Sequence, residues 1–354
     1  MKEQLIKLRQ VLKEERIDAF LSSEPLIRRY LSGFTGTAGY AVVSQDRLDF
    51  CTDFRYFEQM QLECPDYELV KLSKDYTLVD YLRDQGFRRV AVEETFITLQ
   101  LCDQIRRALP DVELVYGFQM VNSIRMIKFA DEIQLHKESC EITNRIVEEF
   151  FQYVRPGMTE IQLNEFILAA VRRHGADNCF FDPITLTGPN TSLNHGKPSN
   201  RQVQVGDFIL LDMGVNYKGY ASDVTRTAVM GPASDKQKEI YNLVLSAHKT
   251  AAAGIRAGMT CFEADKLARD VIEAAGYGQN FGHALGHGFH DGLVLRNNDE
   301  CAKMTMKENM VFTIEPGVYL PGWGGVRIED DYVLTADGCR SFCTYTKELQ
   351  ELPC

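Results

Sequence analysis

Phe208-Ile209-Leu210-Leu211-Asp212-Met213-Gly214 and Val311-Phe312-Thr313-Ile314-Glu315-Pro316-Gly317 are one pattern written twice, 103 residues apart. Each is a strongly apolar run of strand length that ends in a carboxylate, with a glycine two residues on. Each then continues to a second acid, Asp223 or Glu329. Upstream, Arg155-Pro156-Gly157-Met158-Thr159 recurs as Arg256-Ala257-Gly258-Met259-Thr260, 101 residues apart. Both threonines begin a capping box (Thr159 with Gln162, Thr260 with Glu263), so both copies open a helix. Helix cap, apolar strand, acid and glycine repeat in the same order, which points to an internal duplication. Two such halves can pack about a pseudo-two-fold axis and bring their strand-end carboxylates together.

That convergence has a chemical consequence. Taken singly, each acid reads as a turn or capping residue. As a matched set behind apolar strands they read differently, because four carboxylates in a partly buried place must either protonate or hold cations. Carboxylates can bridge two divalent ions, and a spacing of about 3.5–4 Å lets one water-derived nucleophile be shared. The return at Tyr217-Lys218-Gly219 makes a hairpin that brings Asp212 to Asp223, and Glu315 and Glu329 repeat the arrangement through Pro316-Gly317 and Gly324-Gly325. Gly282-His283-Ala284-Leu285-Gly286-His287-Gly288 offers two histidines in a glycine-rich stretch, and a neutral imidazole is the expected fifth ligand.

Before the repeat lies a different composition. Leu5, Leu8, Val11 and Leu12 have helical spacing. Ala19-Phe20-Leu21 is a strand candidate, and Ala41-Val42-Val43, a polar turn at Gln45-Asp46-Arg47, and Leu48-Asp49-Phe50-Cys51 form a hairpin pattern. Val90-Ala91-Val92 and Val112-Glu113-Leu114-Val115 read as further strands, with a helix between them ending near Leu109-Pro110. A long helix begins near Ala130. The expected organisation is a small α/β domain over 1–124 and the duplicated domain over 125–354.

Bulk properties narrow the function. With 45% hydrophobic and 25% charged residues the chain can bury an ordinary core. A net charge of −11 without a basic stripe disfavours nucleic acid as a partner. No stretch approaches the roughly 20 apolar residues of a membrane span. The ten cysteines are scattered and form no CxxC pair, which reads as reduced thiols. The charged start, Met1-Lys2-Glu3-Gln4, lacks the apolar core of a secretory signal, so the cytoplasm is the expected compartment.

At Asp212-Met213-Gly214, Ser222-Asp223-Val224-Thr225-Arg226-Thr227, Gly286-His287-Gly288, Glu315-Pro316-Gly317 and Val326-Arg327-Ile328-Glu329-Asp330 the chain resembles the pita-bread metallopeptidases: aminopeptidase P, prolidase and methionine aminopeptidase. The motifs stand in the family's order. Tyr30-Leu31-Ser32-Gly33-Phe34-Thr35-Gly36 and Thr52-Asp53-Phe54-Arg55-Tyr56 resemble the creatinase-type N-terminal domain of aminopeptidase P and prolidase, which methionine aminopeptidases lack. The resemblance implies an α/β (α+β) architecture, a small α/β domain followed by a pseudo-two-fold pita-bread catalytic domain. It further implies that Asp212 binds one metal, that His287 and Glu315 bind the other, and that Asp223 and Glu329 bridge both, with Glu315 also the general base. His283 falls at a catalytic position on the substrate side, and His195 and Arg327 at substrate-binding positions, Arg327 beside the bridging glutamate. Two divalent ions are implied, commonly Mn²⁺, with Co²⁺, Zn²⁺ or Fe²⁺ also suited to such ligands. Short proline-containing peptides are the implied substrates and a homodimer the implied assembly.

One motif departs. The family's ligand histidine usually continues as GHGxGxxxHExP, whose second histidine polarises the scissile carbonyl. Here Gly286-His287-Gly288-Phe289-His290-Asp291-Gly292-Leu293-Val294-Leu295 places Val294 and Leu295 where histidine and glutamate are expected. Three readings follow: His290 substitutes from a differently shaped loop, the hydrolase acts on another amide, or the chain is a pseudopeptidase that holds metal and binds a peptide or partner without turnover. His290 also reads simply as a loop histidine. Trp323 reads as a pocket wall or as a packed loop aromatic.

Overall fold

The computed structural model describes residues 2–354. Its chain divides between Arg125 and Met126 into two compact units.

In the first unit, helix Glu3–Glu14 buries Leu5, Leu8 and Leu12 on one face. A six-stranded sheet runs in the order Glu68–Lys71, Leu48–Thr52, Tyr40–Ser44, Ala19–Ser22, Arg89–Val92, Glu113–Tyr116. The hairpin expected at 41–51 forms, with Val43 opposite Leu48. Its turn is closed by the Ser44 N–H to Arg47 O bond and by Arg47 N–H donating to Ser44 Oγ, both 3.0 Å. The strand Glu68–Lys71 had no readable period, because as a parallel edge strand it is only partly covered. The segment 118–125, where strand signals stop, is a helix.

The second unit reproduces the duplication down to single hydrogen bonds. Helices Glu160–Arg173 and Cys261–Ala274 open on the capping boxes of Thr159 and Thr260. In the turns before them Gly157 and Gly258 take φ of +85° and +92°, a region open to glycine. The Gly157 N–H donates to Val203 O and the Gly258 N–H to Met306 O, each at 2.9 Å. The long helices Ala130–Tyr153 and Asp235–Gly254 precede the two copies.

The repeated strands form antiparallel pairs. Phe208–Met213 pairs with Val224–Met230, putting Asp212 opposite Thr225, and a small return at Lys218-Gly219 joins them. Val311–Ile314 pairs with Asp330–Thr335, with Ile314 opposite Asp330. This is the duplicated domain that the repeat implies, and the two halves meet along Thr225-Arg226-Thr227. Strand alternation sends the two threonines one way and the arginine the other. Thr225 Oγ1 donates to Glu329 Oε2 at 2.6 Å and Thr227 Oγ1 to Arg327 O at 3.0 Å. Arg226, almost wholly buried, binds Glu329 O at 2.6 Å and Asp330 Oδ1 at 2.7 Å.

Burial alone would push Asp330 up, but Arg226, with His248 and Lys347, outweighs it and brings the carboxyl to about 2. Breaking a buried pair strands the remaining charge. Arg226→Met is therefore expected to cost about 3–5 kcal/mol of stability, read from the denaturant midpoint at pH 7. A loss below about 1 kcal/mol would mean that Lys347 alone compensates Asp330.

Candidate metal centre

The seam delivers the repeated acids to one place. Asp223 stands just before strand Val224–Met230, and its backbone N–H is held by both carboxylate oxygens of Asp331 at 3.0 and 3.2 Å. Glu329 stands just before Asp330–Thr335, its N–H donating to Thr225 O at 3.1 Å. Gly214 permits the close approach of these segments: a Cβ there would lie 1.8 Å from Ser222 O.

His287 arrives on a two-residue ladder, Gly286–His287 against Val294–Leu295. Its N–H donates to Thr313 Oγ1 at 3.1 Å. Gly286 lies against the Thr313 carbonyl, where a Cβ would come within 1.9 Å. His287 Nδ1 lies 2.9 Å from its acceptor, Gly288 O, which places a proton on Nδ1 and leaves Nε2 as the ring atom that could ligate a cation. That Nε2 lies 3.6 Å from Asp223 Oδ2 and 3.5 Å from Glu315 Oε1. Ligand atoms of Asp223, His287 and Glu329 all lie within 4.8 Å of one another. Asp212 gives one oxygen to Arg327, while its buried Oδ1 has no hydrogen-bond partner.

Burial and mutual repulsion push Asp223 and Glu329 well above the ordinary carboxylate range. Burial raises Glu315 to about 7, against the opposing pull of His287 and Arg327. A lone pair between two carboxylates, an orphaned carboxylate oxygen and crowded acids fit divalent cations. The imidazole is 39% exposed against 7% for Asp223 and 14% for Glu315, so the cluster opens on the His287 side.

The remaining candidates fall around this cluster in different ways. His283 Nδ1 donates to Ala284 O at 2.8 Å, and its Nε2 lies 2.9 Å from Tyr319 Oη. Burial, with Arg327 adding to it, lowers His283 to about 3, so the ring is neutral. Tyr319 in turn accepts from Arg327 Nη1 at 2.9 Å, making a chain His283–Tyr319–Arg327–Asp212. His195 is exposed, next to Asn194, whose carbonyl accepts from Arg327 Nη1 at 3.1 Å. His290 is exposed at φ +54°, its ring 5.0 Å from Phe180. Trp323 packs edge-on against Phe208, 5.4 Å between centroids, on the core.

Sequence reasoning missed several supports. Asp265 and Arg269 form an i,i+4 pair beneath the histidine segment. Arg269 holds Phe281 O and His283 O, each at 2.9 Å, and Asp265 takes the Leu285 N–H at 3.1 Å. Lys128 pairs with the buried Asp291 of the 288–295 turn. The spacing of Asp265 and Arg269 was visible as a helix pair. Tyr319, Asp331 and Lys128 carry no local signal.

The raised carboxyls give this centre a pH signature. Asp223, Glu315 and Glu329 bind protons more tightly folded than unfolded, so without metal their contribution to stability falls as pH rises from about 4.5 through 7. Metal needs the ionised forms. The rise in melting temperature caused by saturating Mn²⁺, relative to chelator-treated protein, should therefore grow between pH 5.5 and 8. An increment that stayed flat or shrank would exclude these groups as the ligands.

Comparison with known proteins agrees with this geometry. Residues 134–336 match the model of metallopeptidase family M24, and residues 4–127 that of the creatinase/prolidase N-terminal domain. The uncharacterized peptidase YqhT of Bacillus subtilis is 38% identical over 98% of this chain and 99% of its own. The Xaa-Pro dipeptidase of Pyrococcus furiosus is 32% identical over 99% and 100%. Among solved structures, an Xaa-Pro dipeptidase from Bacillus anthracis superimposes with a TM-score of 0.91 at 37% identity, covering 99% of each chain. The prolidase from Pyrococcus horikoshii gives 0.92 at 29% identity, covering 98% of this chain and 100% of its own. Among the described residues no helix is long and apolar enough to cross a membrane. The chain belongs to metallopeptidase family M24, carrying that family's pita-bread domain behind a creatinase/prolidase-type N-terminal domain.

Proposed function

We propose that this protein is a two-metal hydrolase that cleaves the bond before proline in short peptides. The observation that carries the reading is the convergence of Asp223, His287 and Glu329 within 4.8 Å, with Glu315 3.5 Å from His287 and an orphaned oxygen on Asp212. Asp212 would hold one ion, His287 and Glu315 the other, and Asp223 and Glu329 both, with Mn²⁺ the preferred metal. Bound there, the ions supply Lewis-acid activation of water and of the scissile carbonyl.

The chain's own residues divide the remaining work. Glu315, a buried carboxylate 3.5 Å from His287 Nε2, suits a group that takes a proton from the attacking water and passes it to the leaving amine. Arg327 anchors Asp212 and is itself oriented by Tyr319 and Asn194 O. His283 orients Tyr319, while His195, exposed beside this chain, is the better placed of the two to meet a substrate carbonyl. A cytoplasmic homodimer completes the proposal.

Purified protein reconstituted with Mn²⁺ is expected to hydrolyse Xaa-Pro dipeptides or tripeptides. Absence of turnover across such a panel, with two equivalents of metal bound by elemental analysis, would sink the proposal. Val294, directly opposite His287 on the ladder, supports a second reading, a metal-holding pseudopeptidase or a hydrolase of another amide. Metal-dependent turnover of non-peptide amides alone would select the latter.

A further inference from the structure

Ten thiols are free in this chain, and two of them face each other behind the metal centre. Cys140, on helix Ala130–Tyr153, has its Sγ 3.2 Å from Cys343 Sγ, 203 residues away in sequence. Both are buried. We propose that Cys140 and Cys343 are a modification site, a dithiol that closes reversibly to a disulfide when exposed to peroxide.

A disulfide is about 2.05 Å long, so the sulfurs need to approach by about 1.2 Å, a small side-chain adjustment. Both residues are already held by polar neighbours. The Asp331 N–H points at Cys343 Sγ at 3.4 Å, and Asn144 Nδ2 at Cys140 Sγ at 3.7 Å. Asn144 Oδ1 also takes the N–H groups of Thr344 and Tyr345, each at 3.2 Å, so the same asparagine ties the helix to the segment carrying Cys343. Fixing both partners in one geometry turns sulfur–sulfur bond formation into an intramolecular step.

The balance needs one oxidant. A thiolate of the pair attacks one oxygen of hydrogen peroxide, the O–O bond breaks, and a sulfenic acid and water form. The second thiol's sulfur then displaces the sulfenic oxygen, which leaves as a second water, and the S–S bond closes. Two thiols lose two electrons and two protons, and one peroxide becomes two waters. Burial pushes Cys343 well up and Cys140 to about 11, so thiolate is scarce and closure is slow. The closed bond would lie one residue contact from the metal centre, through Asp331 and its hold on the Asp223 N–H.

The test is a thiol map of the full chain. Protein is incubated for hours with millimolar hydrogen peroxide, quenched, denatured, alkylated and digested, with exposed Cys354 as the internal reactivity control. The expected product is a peptide joining Cys140 to Cys343, two mass units below the dithiol, lost on treatment with dithiothreitol and absent from Cys140→Ala and Cys343→Ala. Should those variants fail to fold, the wild-type map decides alone. Recovery of both cysteines as alkylated thiols while Cys354 is oxidised would overturn the proposal. So would separate sulfinic acids on the two, or either cysteine joined to a different one.

Discussion

Glu315→Gln should lower turnover of an Xaa-Pro dipeptide by about 10²–10⁴-fold, while the protein stays folded and retains part of its metal. The carboxyl sits between two demands. It lies 3.5 Å from His287 Nε2, where a cation would bind, and it is the carboxylate proposed to take and return the proton. Glutamine preserves the shape and an oxygen lone pair for a cation but cannot carry the proton. The prediction separates proton transfer from metal retention when kcat and metal content are measured on the same sample. A variant with full metal and an undiminished kcat would remove Glu315 from the proton path and move that role to another group. A variant with no metal at all would make Glu315 chiefly a ligand.

The centre's residue types and their convergence were legible because the duplication is written in local signals. RxGMT, capping threonine and apolar strand each have a short period, and their repetition implied that Asp212, Asp223, Glu315 and Glu329 would meet. The duplication itself shows in the matching bonds at Gly157 and Gly258. The interactions that hold the meeting in place were not legible. Asp331 reaches Asp223 across 108 residues, Thr225 reaches Glu329 across 104, and Lys128 reaches Asp291 across 163. Such contacts arise only when two halves are packed, and no periodicity records them. Tyr319 was hidden for a related reason. As one residue of the Gly317–Leu320 strand it reads as ordinary β-former, yet its hydroxyl is what joins His283 to Arg327. His283's motif position suggests a substrate role; in the structure its ring nitrogens meet Ala284 O and Tyr319 Oη, with Nδ1 also 3.8 Å from Glu315 Oε2.

The double change Val294→His with Leu295→Glu should raise turnover of Xaa-Pro substrates by about 10²–10³-fold by supplying a carbonyl donor at this ladder. Val294 is opposite His287 in an antiparallel pair, so its side chain leaves the ladder on the same face as the imidazole. A histidine there would present a ring nitrogen beside the open edge of the carboxylate cluster, where an oxyanion would develop and one donor matters most. The companion glutamate is less secure. Leu295 is fully buried against the core of the second unit, and its carbonyl accepts the Leu285 N–H at 2.8 Å. A carboxyl at that position is desolvated unless it finds a partner, so Val294→His alone is the cleaner measurement and the double variant tests whether the pair acts as a unit. A parent already as fast as the variants would mean that another group, His195 foremost, supplies the donor. A gain from nothing to measurable turnover would mean that the wild-type chain kept its metal ligands while giving up its carbonyl donor. That outcome would favour binding over hydrolysis as its task, because the two functions draw on different residues: Asp223, His287 and Glu329 for metal, and position 294 for the carbonyl donor.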